Sequence, residues 1–183
     1  ESYSSAAYDY WKAVEKYSWV IGDFVWTSFD YMGEASIGWN GYYLEQSFYP
    51  WYMAYCGDID LCGIRRPQSY YRETLWNNEP MVYISVTPPV PSFPLNPRKE
   101  DWSVWDWPDE INSWNFDGYE NEELSVWVYT QCEEIELFLN GNSLGRKENT
   151  VITKNKLGWK VPYRRGVLEA KGYINGKKVT ASV

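Results

Sequence analysis

Residues 20–29 have the sequence VIGDFVWTSF, a short and mostly apolar run of β-branched and aromatic residues. Because the apolar residues follow one another without alternation, the run is typical of a strand covered on both faces, as in a parallel sheet. Residues 4–17, which precede it, predict a helix, since their apolar residues recur at spacings of three and four: Ala7, Tyr10, Trp11, Val14 and Tyr17. A helix followed by a buried strand is half of an α/β repeat.

Residues 30–66 are rich in Gly, Tyr and Trp and show neither helical nor strand periodicity. A structureless loop longer than about 12–15 residues usually has a function, so we expect a functional loop here. Pro67 then suits the first turn of a second helix, where its missing N–H costs nothing. We expect this helix to end near Asn77.

The pattern of side chains changes after Asn78. Residues 124–128 and 135–139 alternate apolar and polar side chains, as half-buried antiparallel strands do. Two dipeptides predict tight hairpin turns, because both central positions of such a turn need a positive φ: Asn140-Gly141 and Asn175-Gly176. Several short strands with turns between them predict a β-sandwich in residues 79–183.

The composition excludes several classes of function. The net charge is −8, whereas a nucleic-acid partner needs a cationic surface. No stretch reaches the roughly 18 apolar residues of a membrane-spanning helix, so we expect no membrane partner. The chain has no His, which excludes imidazole bases and His-ligated metals within it. Asp58 and Asp60 suit turn stabilisation better than cation binding, so we expect no metal and no cofactor.

Two features leave alternatives open. Three cysteines are too few for a disulfide framework. Cys56 and Cys62 either pair or, as we favour, are free and buried. Residues 100–136 carry twelve Asp or Glu and no Lys or Arg, whereas residues 146–183 carry ten Lys or Arg and two Glu. This segregation indicates either a surface that repels acidic ligands or, as we favour, acidic and basic strands that pair across a sheet.

Several motifs follow one another in a specific order along the chain. In the first part they are GDFVWTSFDYMGE (22–34), YPW (49–51), CGDIDLCG (56–63) and RPQSYYR (66–72). In the second part they are VYT (128–130) and ELFLNGNSLG (136–145). With these motifs the chain resembles glycoside hydrolase family 2, the β-galactosidase family. The resemblance implies an α+β fragment: the last part of a (β/α)8 TIM barrel in residues 1–78, then an immunoglobulin-like antiparallel β-sandwich in residues 79–183.

The resemblance also implies roles for two residues, Glu1 and Trp26. Glu1 matches the catalytic nucleophile of the family, and Trp26 matches the Trp that forms the floor of the subsite for the terminal sugar. Asp30 and Glu34 lie in the loop after that strand, where a loop acid either accepts backbone N–H bonds or positions sugar hydroxyls, and we expect both to bind the substrate. A retaining glycosidase needs two carboxyl groups about 5–5.5 Å apart. The family's acid/base Glu belongs to an earlier barrel strand, which would precede Glu1.

Other aromatic residues have two interpretations each. For those of the long loop, packing is favoured over sugar contact: Trp39, Tyr42, Tyr43 and Trp51. Those of a later acidic and Pro-rich region either lean on the barrel or line an outer subsite: Trp102, Trp105, Trp107 and Trp114.

We therefore predict a fragment of a retaining glycoside hydrolase that cleaves terminal β-galactosides, or related β-glycosides, by double displacement. Without the acid/base Glu, the chain alone should be inactive. The alternatives are a non-catalytic carbohydrate-binding β-sandwich module and a structural spacer. Expected partners are a carbohydrate substrate, the missing N-terminal part of the parent enzyme and, through unpaired strand edges, further copies of the fragment. We expect the parent protein to be periplasmic or secreted in a bacterium rather than cytoplasmic.

Overall fold

The computed structural model describes three ranges of the chain: residues 6–31, 56–90 and 108–183. Contacts divide the chain into two compact units. The first consists of residues 1–69 and 93–108, and the second of residues 70–92 and 109–183. The predicted boundary near residue 79, between a barrel and a sandwich domain of the parent protein, stays a prediction.

The described ranges contain two helices and seven strands. The helices are α1, Ala7–Lys16, and α2, Pro67–Trp76, and both confirm predicted helices. Within these ranges, no helix has the length and apolarity needed to cross a membrane. The strands, from β1 to β7 in chain order, are Val82–Val86, Glu123–Thr130, Glu134–Leu139, Asn142–Glu148, Lys156–Pro162, Leu168–Ile174 and Lys177–Ser182.

The strands form two antiparallel sheets with the orders β1-β2-β5 and β4-β3-β6-β7. Every second residue of β3 and β5 is buried, which confirms the predicted half-buried antiparallel strands. The buried side chains of both sheets form one hydrophobic core. Its most enclosed members, each at most 1% exposed, include Val126, Ile135, Leu137, Leu157 and Leu168. The second unit is therefore a β-sandwich.

Two tight turns close the hairpins β3–β4 and β6–β7. Asn140 and Gly141 have φ angles of 51° and 78°. Asn175 and Gly176 have φ angles of 48° and 73°. Positive φ at both central positions is what the Asn-Gly pattern predicts, so both hairpin predictions are confirmed.

The second half of α2 packs on the three-stranded sheet of the same unit. Tyr70 stacks on Tyr83 of β1, with 4.0 Å between the ring centroids. The Tyr71 hydroxyl donates a hydrogen bond to the Lys154 carbonyl at 2.7 Å. These contacts attach residues 70–76 to the sandwich.

Acidic and basic strands pair across the four-stranded sheet. Arg146 on β4 donates to Glu134 and Glu136 on β3, at 3.0 and 3.1 Å. Hydrogen bonds from Ser143 and Arg146 lower the pKa of the Glu136 carboxyl below its usual value. The favoured interpretation of the charge segregation is thus confirmed for this sheet, although exposed pairs of this kind contribute little to stability.

Residues 20–29 do not form the doubly covered strand that their sequence predicts. Phe29 makes a single parallel bridge to Ile59. Ile21 is 96% exposed, Phe24 73% and Phe29 62%. The reason is that the described parts of the chain place one short neighbour, residues 56–59, beside this run. The side chains of Ile21, Phe24 and Phe29 are therefore left exposed.

None of the three cysteines forms a disulfide, so Cys56 and Cys62 do not pair. Cys56 is buried, as favoured, and Cys132 is buried too, whereas Cys62 is exposed. The expectation of burial is wrong for Cys62 because this residue lies on a tight turn, where the backbone is held by hydrogen bonds and the side chain faces solvent.

Candidate active site

Trp26 lies in the second half of the run 20–29, and its side chain is half-buried. The indole Nε1 donates a hydrogen bond to the Tyr31 hydroxyl at 3.4 Å. Burial is the main cause that raises the pKa of Tyr31 above its usual value, so this hydroxyl stays protonated at neutral pH. Small-molecule sites combine apolar surface with a few polar groups in defined positions. A half-buried indole ring whose N–H is hydrogen-bonded is therefore suited to line a sugar site.

The backbone after Trp26 pairs with residues 56–59 in a parallel direction. The Thr27 N–H donates to the Cys56 carbonyl at 3.3 Å, and the Asp58 N–H donates to the Thr27 carbonyl at 2.9 Å. The Ile59 N–H donates to the Ser28 carbonyl, and the Asp30 N–H to the Ile59 carbonyl, both at 2.8 Å. These four bonds fix the segment that carries Trp26 against one neighbour.

Gly57 lies where the backbones of the two paired segments are in close contact. A Cβ atom at this position would be 2.2 Å from the Asp30 nitrogen and 2.6 Å from its Cα. Both neighbours are backbone atoms, which cannot rotate away, so any side chain at Gly57 would force the segments apart. The Gly57 carbonyl is also occupied, since it accepts from Gln68 Nε2 at 2.8 Å and from Arg66 Nη1 at 3.1 Å.

Asp30 is buried and forms an ion pair with Arg66. Its side chain is 0% exposed, and Oδ2 accepts from Arg66 Nη2 at 2.5 Å. Among the described residues, Oδ1 has no hydrogen-bond partner. The pair joins residues 36 positions apart, so no local pattern in the sequence could have revealed it. The predicted contact of Asp30 with substrate stays a prediction.

Asp60 has the turn-stabilising role that the sequence predicts. Its Oδ1 accepts the N–H groups of Cys62 and Ile64, both at 2.8 Å. Asp58 is buried, at 8% exposure. In residues 6–31, 56–90 and 108–183, no three His, Cys, Asp or Glu residues cluster as a metal site would require.

The other candidate residues lie outside the described ranges. These are Glu1, the predicted nucleophile, and Glu34, the predicted second loop acid, as well as the aromatic residues Trp39, Tyr42, Tyr43, Trp51, Trp102, Trp105 and Trp107. Their roles stay predictions.

Trp114 is a core residue of the sandwich. It is 4% exposed, and its ring meets the Tyr163 ring edge-on at 5.1 Å between centroids. Its Nε1 donates to the Arg164 carbonyl at 2.9 Å, which satisfies the buried indole N–H. Neither interpretation given above for Trp114, a contact with the barrel or an outer subsite, agrees with this position.

The sandwich contains a buried charged cluster that the sequence patterns do not predict. The Glu110 carboxylate accepts from Lys156 Nζ at 2.5 Å and from the Tyr129 hydroxyl. Burial, and then the charge of Glu110, raise the pKa of Tyr129 well above its usual value. Because every charged group in the cluster has a partner, its role is structural.

The described geometry defines a class of protein with two units: an antiparallel β-sandwich, and a unit that contains a helix, two parallel-paired segments and a half-buried Trp. Comparison with known proteins is consistent with this class. A domain of unknown function, DUF4982, matches residues 121–180. A putative β-glucuronidase of Formosa agariphila is 34% identical over 95% of this chain, and β-galactosidase BoGH2A of Bacteroides ovatus is 26% identical over 92%.

Solved structures match the chain over a similar part of its length. A glycosyl hydrolase family 2 member from Bacteroides cellulosilyticus covers 100% of the chain with 62% identity and a TM-score of 0.92. A β-glycosidase from Bacteroides vulgatus covers 96% with 29% identity and a TM-score of 0.67. Over its whole length, the chain is thus homologous to a segment of glycoside hydrolase family 2 proteins. It spans 14% and 15% of the length of the two curated relatives, and 24% and 18% of these two structures.

Proposed function

We propose that the chain is the last part of the (β/α)8 catalytic barrel and the following immunoglobulin-like sandwich of a retaining β-glycosidase. The observation that carries the proposal is the similarity to a glycosyl hydrolase family 2 structure across the whole chain, at 62% identity. The parallel bridge between Phe29 and Ile59 also supports it, because parallel pairing is typical of sheets in α/β folds such as this barrel.

In the proposed mechanism, the Glu1 carboxylate attacks the anomeric carbon of a terminal sugar. The leaving oxygen receives a proton from the acid/base Glu of the upstream part of the enzyme. Water then releases the sugar from Glu1 with net retention of configuration. Trp26 forms the floor of the subsite for the terminal sugar, and Glu34 binds the substrate beside it. Asp30 contacts the substrate through Oδ1, since its Oδ2 is held by Arg66.

The proposed substrates are terminal β-galactosides or related β-glycosides with an uncharged sugar. The names of the two curated relatives divide between β-glucuronidase and β-galactosidase. Residues 1–69 carry nine Asp or Glu and four Lys or Arg. This acidic balance favours an uncharged sugar over a glucuronide, whose carboxylate needs a cation nearby. A periplasmic or secreted location of the parent enzyme stays part of the proposal.

The test uses the full-length protein that contains the chain. Chromogenic β-galactosides should be cleaved faster than β-glucuronides, NMR should detect the β-anomer as the first product, and Glu1→Gln should abolish turnover. An inverted first product would exclude the mechanism. The chain of 183 residues should show no turnover by itself. Galactoside binding to that chain in calorimetry would instead favour the carbohydrate-binding module.

A further inference from the structure

We propose that Arg66 is a positioning residue, which fixes the backbone that carries Trp26 by acting through Asp30 and Gly57. The inference rests on the proposed function, because it takes Trp26 as the floor of the sugar subsite. It goes further by assigning a role to an arginine that belongs to the motif RPQSYYR (66–72) but to which neither the resemblance nor the comparisons give a function.

Arg66 contacts both segments of the parallel pairing. Its Nη2 reaches the Asp30 carboxylate at 2.5 Å, and its Nη1 reaches the Gly57 carbonyl at 3.1 Å. Its backbone N–H donates to the Asp58 carbonyl at 2.9 Å. One side chain therefore binds the segment that follows Trp26 and the segment that pairs with it.

The burial of this ion pair makes Arg66 necessary. The Asp30 side chain is 0% exposed and that of Arg66 18% exposed. A carboxylate removed from water is tolerated only with a partner, so loss of the guanidinium would drive Asp30 towards solvent. Asp30 follows Trp26 by four residues, and the bonds of Thr27 and Ser28 to residues 56–59 transmit the shift to Trp26.

The close contact at Gly57 couples the segment that carries Asp30 to residues 56–59. The Asp30 backbone occupies the space that a Gly57 side chain would need, and four backbone hydrogen bonds hold the two segments in register, so a displaced Asp30 also displaces the paired segment. The fork of Arg66 also makes two divergent hydrogen bonds, which a Lys ammonium on a flexible stem cannot reproduce. Arg66→Lys should therefore retain the charge but only part of the effect.

The first test measures amide hydrogen exchange in the chain itself. Arg66→Ala should accelerate exchange of the Thr27, Asp30, Asp58 and Ile59 amides about tenfold or more, because exchange follows local opening. Arg66→Lys should have an intermediate effect. The matched control is Arg65→Ala, since Arg65 Nε donates instead to Ser69 Oγ at 2.9 Å. Unchanged exchange in Arg66→Ala, or equal acceleration in Arg65→Ala, would overturn the proposal.

The second test measures steady-state kinetics of the full-length protein on a β-galactoside. Arg66→Ala should raise KM about tenfold with a smaller change in kcat, because a displaced Trp26 weakens sugar binding. A mere loss of folded protein would lower kcat and leave KM unchanged, and that outcome would contradict a positioning role. If the wild-type protein cleaves no β-glycoside, the proposed function fails, whereas the exchange result still decides whether Arg66 orders this segment.

Discussion

At the scale of single residues, buried charges have the largest energetic consequences. The Glu110 side chain is 1% exposed, and Lys156, at 21%, is its cationic partner. The Lys156 ammonium also lies over the Trp127 ring, 4.5 Å from its centroid. Removing one member of such a pair leaves a buried charge without compensation, which costs more than the pair contributes when intact.

Lys156→Met should therefore destabilise the sandwich strongly, by about 3 kcal/mol, since it leaves the Glu110 carboxylate without a counter-charge. Lys171→Met is a matched control, because the partner of Lys171, Glu169, is 36% exposed and water can replace the ion pair. The control should lose less than about 1 kcal/mol. Urea denaturation of both variants measures the difference, and equal losses would contradict the prediction.

The same cluster predicts a loss of stability in alkali. The pKa of Tyr129 is raised in the folded state, chiefly by burial, whereas that of an unfolded Tyr is about 10. The stabilisation is complete below about pH 10 and is lost as the pH rises towards the folded pKa, by up to about 1.4 kcal/mol per pH unit.

Tyr129→Phe should remove this component of the alkaline slope, even though it lowers stability at neutral pH. The free energy of unfolding, measured by urea denaturation between about pH 9 and pH 11, tests the slope. Parallel curves for the wild type and the variant would show that Tyr129 does not titrate as expected.

At the scale of elements, the two Asn-Gly hairpins differ in what their Asn side chains contact. Asn140 Oδ1 accepts the Val167 N–H at 2.9 Å, and its Nδ2 donates to the Arg165 carbonyl at 3.0 Å. Asn175 has the same left-handed backbone, with a φ of 48°. The turn β3–β4 is therefore tied to the loop before β6, beyond its own backbone geometry.

Asn175→Ala should cost about 1 kcal/mol, because Ala tolerates a positive φ poorly. Asn140→Ala should cost about 1–2 kcal/mol more, since it also loses two hydrogen bonds. Thermal or chemical denaturation of the two variants gives the comparison. A larger loss for Asn175→Ala would be inconsistent with the contacts of Asn140.

Elements with local signals could be predicted from the sequence, and those that depend on distant partners could not. The alternation in β3 and the Asn-Gly turns identified strands and hairpins because both signals lie within a few residues. The run 20–29 has the composition of a strand buried on both faces. Its burial depends on neighbouring segments, however, and a local pattern does not show whether they are present. The Asp30–Arg66 pair, 36 residues apart, depends on the fold itself.

At the scale of the whole molecule, the first unit exposes apolar side chains. Trp19 is 76% exposed, Ile21 96% and Phe24 73%. Exposed apolar surface favours association, so the chain should self-associate at concentrations of about 100 µM, as measured by light scattering. The double variant Ile21→Lys with Phe24→Lys should reduce association.

The matched control for this prediction is Ile152→Lys, because Ile152 is 87% exposed on a turn of the sandwich unit. It should leave the scattering unchanged. A monodisperse wild-type chain at the same concentration would contradict the prediction.

The border strands of the four-stranded sheet, β4 and β7, both carry cationic side chains, among them Arg146, Lys147, Lys177 and Lys178. Like charges on exposed borders discourage one sheet from extending into another. The sandwich is thus the part of the chain that resists association and is suited to crystallisation or labelling. Substitutions that raise solubility belong in residues 19–24.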